Sequence, residues 1–398
     1  MRLNGFPTRN LLIQGRKPGS SNMMYRSRSF NQHRLKVLFL SDAAAGRNGV
    51  GSYYADLVEH LADHMVHAEL VSPGAEGDPC THEFTLPMPG DATQRLYLPR
   101  VTRVWQKVKE VAPDLIVVPT PGPYGALAFV IARYLDIPVC AGYHTEIGQL
   151  SDMYWRAGFS SFARFYMKSV NRLLFGSSAV VVGNSEKMIH GARNDGAFRV
   201  KMIGTPIAGT FTDDSATPLS ANLSTVCYAG RLAPEKNIQE VLEAARVLPE
   251  TRFLIAGDGP LRDMVTEAAR SAPNIDYVGW VSRHGVKQVI DDSDMLLLPS
   301  RVESFGTIAL EAMARRRLVL VSNNCGILNW PDLAEGVYAI GPEESLADAV
   351  KRISDKPVCQ RLQKSETARR TALEFNRKTL SQWVDLFCSV TPSACAQQ

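Results

Sequence analysis

Two glutamates eight residues apart, Glu303 and Glu311, stand in SRVESFGTIALEAMA (300–314), directly after an apolar run that reads as a strand. The pattern places Glu303 in a strand-to-helix loop and starts the helix near Thr307. The amides of Phe305, Gly306 and Thr307 then lack partners within the helix. Together with the helix dipole they form an anion site suited to a diphosphate. Glu311, one turn inside, is placed to accept bonds from ribose hydroxyls, and Glu303 to reach sugar hydroxyls beyond the phosphate. The same two acids would also serve as surface residues at a helix start. A second group, AGRLAPEKN (229–237), again follows a strand. Arg231 and Lys236 lie five apart across a turn containing Pro234. Two cations so spaced clamp a diphosphate and offset charge on a departing nucleotide, although a basic turn facing solvent has the same spelling.

In the first half, GRNGVGSYY (46–54) follows the first strand and opens a helix. A glycine turn there lets backbone approach a phosphate or an acceptor. The dinucleotide-binding reading fails for want of an acid at the end of the next strand, which closes on Ser72–Pro73. His144 in YHTEIGQL (143–150) follows a strand, where a histidine is more often structural than functional. Asp292-Ser293-Asp294 has the spelling of a metal-binding DxD, but bridges a helix end and a strand start. His60, His64 and His67 have helical spacing for a metal face and read instead as a solvated helix end. No metal site is expected.

These residues need strands to carry them. Short apolar runs alternate with helical patterns throughout, the mark of βαβ units and parallel sheets. The first half offers LKVLFLS (35–41), HAELVS (67–72), DLIVVP (114–119), IPVCAG (137–142) and AVVVGN (179–184). The second offers TVCYAG (225–230), RFLIAG (252–257), IDYVG (275–279), DMLLLPS (294–300) and LVLVS (318–322). Between them, 204–224 is rich in Gly, Pro, Ser and Thr and reads as a linker. The expected fold is α/β: two doubly wound parallel-sheet, Rossmann-like domains facing across a cleft, with ligands at the carboxyl ends of the strands. At 398 residues two domains are the expectation. The divisions are a basic segment at 1–34, a first domain at 35–208, a second at 209–372 that carries both charged motifs, and a helix at 373–391 that returns to the first domain.

The net charge of +4 is not a property of the folded body. Residues 1–34 hold seven basic groups and no acid, and removing them leaves a net charge of −3. A nucleic-acid surface is therefore not indicated. The segment's composition reads as disordered, and an Arg- and Ser-rich leader also has the character of a transit peptide. No run is long and apolar enough to span a bilayer. Seven cysteines without CxxC spacing read as buried thiols of a cytoplasmic protein.

The two charged motifs, in this order and about 70 residues apart, resemble the retaining glycosyltransferases known as glycosyl transferases group 1 (family 4), of GT-B fold. The resemblance extends through AGDGP (256–260), covers nearly all of 222–322, and is weaker over 35–205. It implies that Arg231 and Lys236 bind the donor phosphates, Glu303 the transferred sugar and Glu311 the ribose. It also implies that Gly257 and Gly259 lie close to the nucleotide, that Gly49 and Gly51 floor the cleft, and that His144 faces the donor sugar. Such an enzyme needs no cofactor or metal, because cationic side chains and helix amides offset the diphosphate. The implied reaction moves a hexose with retention from a nucleotide sugar, a UDP-sugar such as UDP-glucose favoured over a GDP-sugar, to an acceptor hydroxyl. Two departures stand out: Arg315-Arg316-Arg317 replaces a small-residue turn, and Asn323-Asn324-Cys325-Gly326 lacks an expected Glu.

Residues 152–175 mix Tyr154, Trp155, Phe159, Phe162, Phe165 and Tyr166 with Arg156, Arg164, Lys168 and Arg172. That mixture suits an anionic bilayer interface and equally an ordinary helix burying its aromatics. With the resemblance it favours a membrane lipid such as diacylglycerol as acceptor, and a protein peripheral on the inner face of the membrane. The alternatives are polysaccharide or small-metabolite acceptors, or a non-catalytic nucleotide-sugar-binding protein on the same fold.

Overall fold

The structure is a computed structural model and describes residues 33–44, 49–62, 64–73, 82–88, 91–144 and 157–391. The expectation for residues 1–34 lies outside the described residues, apart from the backbone of 33 and 34, which opens the first strand.

The first half contains β1 (His33–Leu40), β2 (Met65–Val71), β3 (His82–Met88), β4 (Asp91–Pro99), β5 (Leu115–Val118), β6 (Val139–Tyr143), β7 (Val180–Gly183) and β8 (Val200–Met202). Six of these form one sheet in the order β2-β1-β5-β6-β7-β8, with every pairing parallel. The second half contains β9 (Thr225–Ala229), β10 (Arg252–Ala256), β11 (Ile275–Gly279), β12 (Met295–Leu298), β13 (Leu318–Val321) and β14 (Tyr338–Ala339). They form a second parallel sheet in the order β11-β10-β9-β12-β13-β14. In each sheet the chain starts near the middle and winds out both ways, and helices cover both faces. Central strands therefore read as unbroken apolar runs: LIVV, VVVG, MLLL and LVLV are buried throughout.

Three features go beyond the sequence reading. β3 and β4 form an antiparallel hairpin, and β8 and β14 extend the two sheets at their edges. The connector 204–224 is packed: Phe211, in the short helix Gly209–Thr212, is fully buried in the second lobe's core. Cys140, Cys227 and Cys325 are buried, but Cys359 is exposed in the first turn of the last helix and Cys388 is half-buried. Burial of all the thiols thus fails where a cysteine falls on a helix's outer face.

The last helix, Val358–Val390, has 33 residues and is about 50 Å long. Its Ala368, Ala372 and Phe375 belong to the second lobe's core beside Phe305 and Met313. Its Trp383, Leu386 and Phe387 belong to the first lobe's core beside Leu35 and Phe39. One element therefore completes both cores.

Candidate active site

At the carboxyl edge of the second sheet, the loops after β9 and β10 interlock. Gly230 N donates to Ala256 O at 3.0 Å, and Leu232 N to Asp258 O at 2.9 Å. This approach requires glycine. At Gly257, whose φ is +142°, a Cβ would stand 1.8 Å from Gly230 O; at Gly259 it would stand 2.4 Å from Leu232 O. The two glycines press on the backbone that carries Arg231 and Lys236. Tyr228 Oη donates to Arg231 O at 2.7 Å, holding the turn from beneath. Lys236 ends a single 3-10 turn, Pro234–Lys236, and its Nζ donates to Glu303 Oε2 at 2.7 Å. Arg231 Nη1 donates to Glu235 Oε1 at 3.0 Å. Burial pulls the Lys236 ammonium down, yet the carboxylates of Glu303 and Glu235 outweigh it and leave the group above its ordinary value. Burial holds the Arg231 guanidinium below its ordinary value against the pull of Glu235. Both cations are charged at neutral pH, and both are already held by acids.

The loop after β12 brings Glu303 to this turn. Arg301 N donates to Glu235 O at 2.8 Å and Ser300 Oγ to Glu303 Oε2 at 3.3 Å. The helix Thr307–Ala314 begins as expected from the sequence, after Gly306 at φ +97°. A Cβ on Gly306 would meet Cys325 Sγ at 2.8 Å. No side chain caps the helix start, so Gly306 and Thr307 offer amides to an incoming group. Phe305 contributes through its backbone alone, because its ring is buried and stacks on Phe375 with centroids 5.9 Å apart.

Glu311 is only 1% exposed, and its Oε1 accepts from Arg283 Nη1 at 2.5 Å. Arg283, the first residue of the helix Arg283–Asp291, also donates through Nη2 to Asp56 Oδ2 on the first lobe's helix Gly49–Leu61. Its guanidinium lies 5.0 Å from the centre of the Phe211 ring. One cation thus serves two buried carboxylates from opposite lobes. Burial pushes Asp56 up to about 8; Arg283 pulls it down, and Glu311 and Glu59 push it up. Neither Arg283 nor Asp56 was singled out from the sequence. Their partnership spans 227 positions, and no local spacing announces it.

On the first lobe the two glycines of the turn differ in their surroundings. Gly49 is exposed, and nothing lies within 4 Å of where its Cβ would stand. The close approach belongs to Gly51, whose Cβ would meet Ala44 O at 2.2 Å. Asp42, also missed, ties the loops after β1 and β5. It accepts from Thr120 Oγ1 at 2.9 Å and from the amides of Gly122 at 3.0 Å and Tyr124 at 2.7 Å. His144 directly follows β6 in a buried position, with Nε2 2.7 Å from Tyr54 Oη. Its Nδ1 has no partner among the described residues. Burial pushes the imidazole down to about 4, so the ring is neutral.

The Asp292-Ser293-Asp294 run is structural: Asp294 Oδ2 accepts from the amides of Ser224 and Thr225, both at 2.9 Å. The three histidines do not share a helix. His60 Nε2 is 2.7 Å from Ile207 O, while His67 lies in β2 and pairs with Glu69 at 2.9 Å. A solvated helix end is thus corrected for His60, which docks the connector. Among the described residues no group of three His, Cys, Asp or Glu is placed to hold a metal.

The arginine run sits at the other end of the Glu311 helix, about 12 Å from Gly306. Arg315 is buried and bonds Asp291 at 2.8 Å and Asp213 at 2.5 Å; Arg317 donates to Thr217 Oγ1 at 2.8 Å. The run clamps the connector. The Asn323–Gly326 loop packs on Glu303 directly, since Gly326 N donates to Glu303 O at 3.1 Å.

Of the basic aromatic stretch, 152–156 lies outside the described residues, as do the side chains of Phe159, Phe162, Arg164 and Tyr166. Within the helix Ala157–Ser177, Phe165 (72%) and Leu173 (63%) are exposed beside Lys168 and Arg172, while Leu174 and Phe175 are buried. Among the described residues no helix is long and apolar enough to cross a membrane.

Comparison with known proteins places this geometry. The family description "Glycosyl transferases group 1" matches residues 211–371, and "Glycosyltransferase Family 4" matches 47–207. Among curated proteins, a GDP-mannose-dependent alpha-(1-6)-phosphatidylinositol dimannoside mannosyltransferase of Mycobacterium tuberculosis is 33% identical over 135 residues, 33% of this chain and 35% of the relative. The sulfoquinovosyl transferase SQD2 of Arabidopsis thaliana is 24% identical over 273 residues, 65% of this chain and 50% of the relative. The chain thus spans from about a third to half the length of these relatives. Among solved structures, sucrose-phosphate synthase from Thermosynechococcus elongatus has a TM-score of 0.69 at 18% identity, covering 90% of this chain and 100% of that one. Anabaena HepE in complex with UDP and glucose has a TM-score of 0.65 at 16% identity, covering 89% and 100%. With one description on each lobe and a shared two-sheet architecture, the chain belongs to the GT-B glycosyltransferases of group 1, family 4.

Proposed function

We propose that the protein moves a hexosyl group, with retention and without a metal, from a nucleotide sugar to an acceptor hydroxyl. The observation that carries this is the cluster of Arg231, Lys236 and Glu303 beside the uncapped start of Thr307–Ala314. When the anomeric carbon–oxygen bond breaks, negative charge develops on the leaving diphosphate. Two cations, held in place by Glu235 and Glu303, and the uncapped amides stand ready to offset that charge. Lys236 and Glu303 neutralise each other meanwhile, so Glu303 remains an acceptor for a sugar hydroxyl. The acceptor hydroxyl gains the bond to the anomeric carbon, and its proton passes to an oxygen of the departing nucleotide diphosphate, which took the electrons of the broken bond.

A UDP-sugar is favoured over a GDP-sugar. The UDP complexes of HepE, which shares the fold, support UDP, while the mannosyltransferase relative uses GDP-mannose. A membrane lipid is the favoured acceptor. Support comes from the phosphatidylinositol dimannoside relative and from the exposed Phe165 and Leu173 beside Lys168 and Arg172. Nucleotide release is the test: UDP- and GDP-sugars are supplied with and without vesicles containing diacylglycerol, and the product's anomeric coupling constant is read. Release from a UDP-sugar, stimulated by the lipid and yielding a retained product, is expected. No release from any donor would leave a nucleotide-sugar-binding protein; release stimulated only by soluble acceptors would move the acceptor to polysaccharide or small metabolites.

A further inference from the structure

His144 and Tyr54 share one short hydrogen bond, and only one of them supplies the proton. Their atoms are 2.7 Å apart and both side chains are buried. If imidazole Nε2–H donates to the tyrosine oxygen, the tyrosine O–H has no other acceptor, because no further bond of Tyr54 exists among the described residues. The Nδ1 lone pair is then unpaired as well. If the tyrosine O–H donates to Nε2, a single group is left over, the Nδ1–H. Each buried polar group without a partner costs free energy, so the second arrangement is preferred.

The surroundings hold this pair in place. Gly142 makes room for it: a Cβ there would lie 2.4 Å from Tyr54 Oη and 2.9 Å from His144 Nε2. The ring of Tyr53 lies on His144 with centroids 4.9 Å apart. Its hydroxyl is occupied elsewhere, donating to Gly204 O at 3.2 Å and accepting from Trp383 Nε1 at 3.0 Å. Tyr53 therefore packs against the imidazole without competing for its nitrogens.

We propose that Tyr54 is a positioning residue that fixes His144 as the neutral Nδ1–H tautomer, so that the ring presents one hydrogen-bond donor to an oxygen of the bound sugar. The lone pair at Nε2 is spent on Tyr54, so His144 is not the base that takes the acceptor's proton. The identity of the ligand oxygen rests on the proposed function; the tautomer does not.

The experiment is nitrogen-15 NMR of protein labelled at its histidine rings, with the His144 signals assigned by their loss in His144→Gln. Multiple-bond correlations separate the two neutral tautomers without any substrate. The expected pattern for His144 is a protonated Nδ1 and a bare Nε2, unchanged between pH 8 and 5. In Tyr54→Phe the pattern should move towards a protonated Nε2, with turnover falling roughly tenfold for want of one oriented bond. A protonated Nε2 in the wild type overturns the proposal, as do unchanged nitrogens in folded Tyr54→Phe. Should Tyr54→Phe not fold, the wild-type spectrum alone decides. The expected tautomer in a protein that transfers no sugar would retain the tautomer lock and remove the proposed function.

Discussion

The carboxyl edges of the two sheets are built from opposite materials. The second lobe's edge gathers Arg231, Glu235, Lys236 and Glu303 into paired charges beside an open helix start. The first lobe's edge presents a neutral imidazole among tyrosines, and its acid, Asp42, is spent on backbone amides. Burial pushes Asp42 up to about 6 even with those bonds. Charge is thus concentrated at the second lobe's edge, where the proposed function seats a diphosphate, and the first lobe's edge is left largely neutral. Trp330 Nε1 donates across to Asn184 O at 3.1 Å, and the lobes also meet through the guanidinium of Arg283, between Asp56 and Glu311.

Breaking that meeting point should have the largest effect. Arg283→Ala leaves the buried Glu311 and Asp56 side chains without their shared partner, and the loss of stability should be about 3–5 kcal/mol, read from urea unfolding. A loss under about 1 kcal/mol would show that the bridge is incidental. Next in size, Arg231→Ala and Lys236→Ala should each lower turnover by roughly two to three orders of magnitude while leaving circular dichroism unchanged. Wild-type turnover in both would remove the charged edge from the chemistry.

A smaller effect is expected from pH. Asp56 has a folded pKa raised above its unfolded value, so the folded state binds the extra proton. Its contribution to stability is therefore full below the unfolded value near 4 and is lost as pH rises through about 8. Asp56→Asn should flatten the fall in unfolding midpoint across that window; an unchanged slope would assign it to other groups. The smallest expected effect concerns the first lobe's outer face, where Phe198 (91% exposed) and Arg199 add to Leu173 and Arg172. In protein lacking residues 1–32, Lys168→Glu with Arg172→Glu should weaken binding to anionic vesicles roughly 30-fold or more, from about 1 kcal/mol per charge. Added salt should weaken the wild type likewise. Undiminished vesicle binding by the folded double variant would end the lipid-surface reading.

What the sequence made legible was whatever is local. Strands β5, β7, β12 and β13 announce themselves because both their faces are buried. The loop carrying Glu303 and the start of its helix follow from Gly306 and the apolar run before it. β3 and β4 stayed hidden because Pro87, Asp91, Gln94 and Arg95 interrupt their apolar alternation. β8 and β14, with three and two residues, are too short to show a period. Arg283 read as an unremarked residue at a helix start, because its meaning comes from Asp56 on the other lobe. The arginine run stood out only as a departure from a small-residue turn. Its partners Asp213 and Thr217 lie in a connector that composition alone presented as loose.

The helix Val358–Val390 has a consequence for how the chain is made. A ribosome delivers β1 well before Trp383, with the whole second lobe in between, yet Trp383, Leu386 and Phe387 fill the core beneath β1. Throughout synthesis of the second lobe, the first lobe's sheet therefore waits with a groove open along the face that holds Leu35 and Phe39. A strand translated before the second lobe is sealed only after it, and premature termination before Trp383 would leave an apolar groove for chaperones to find.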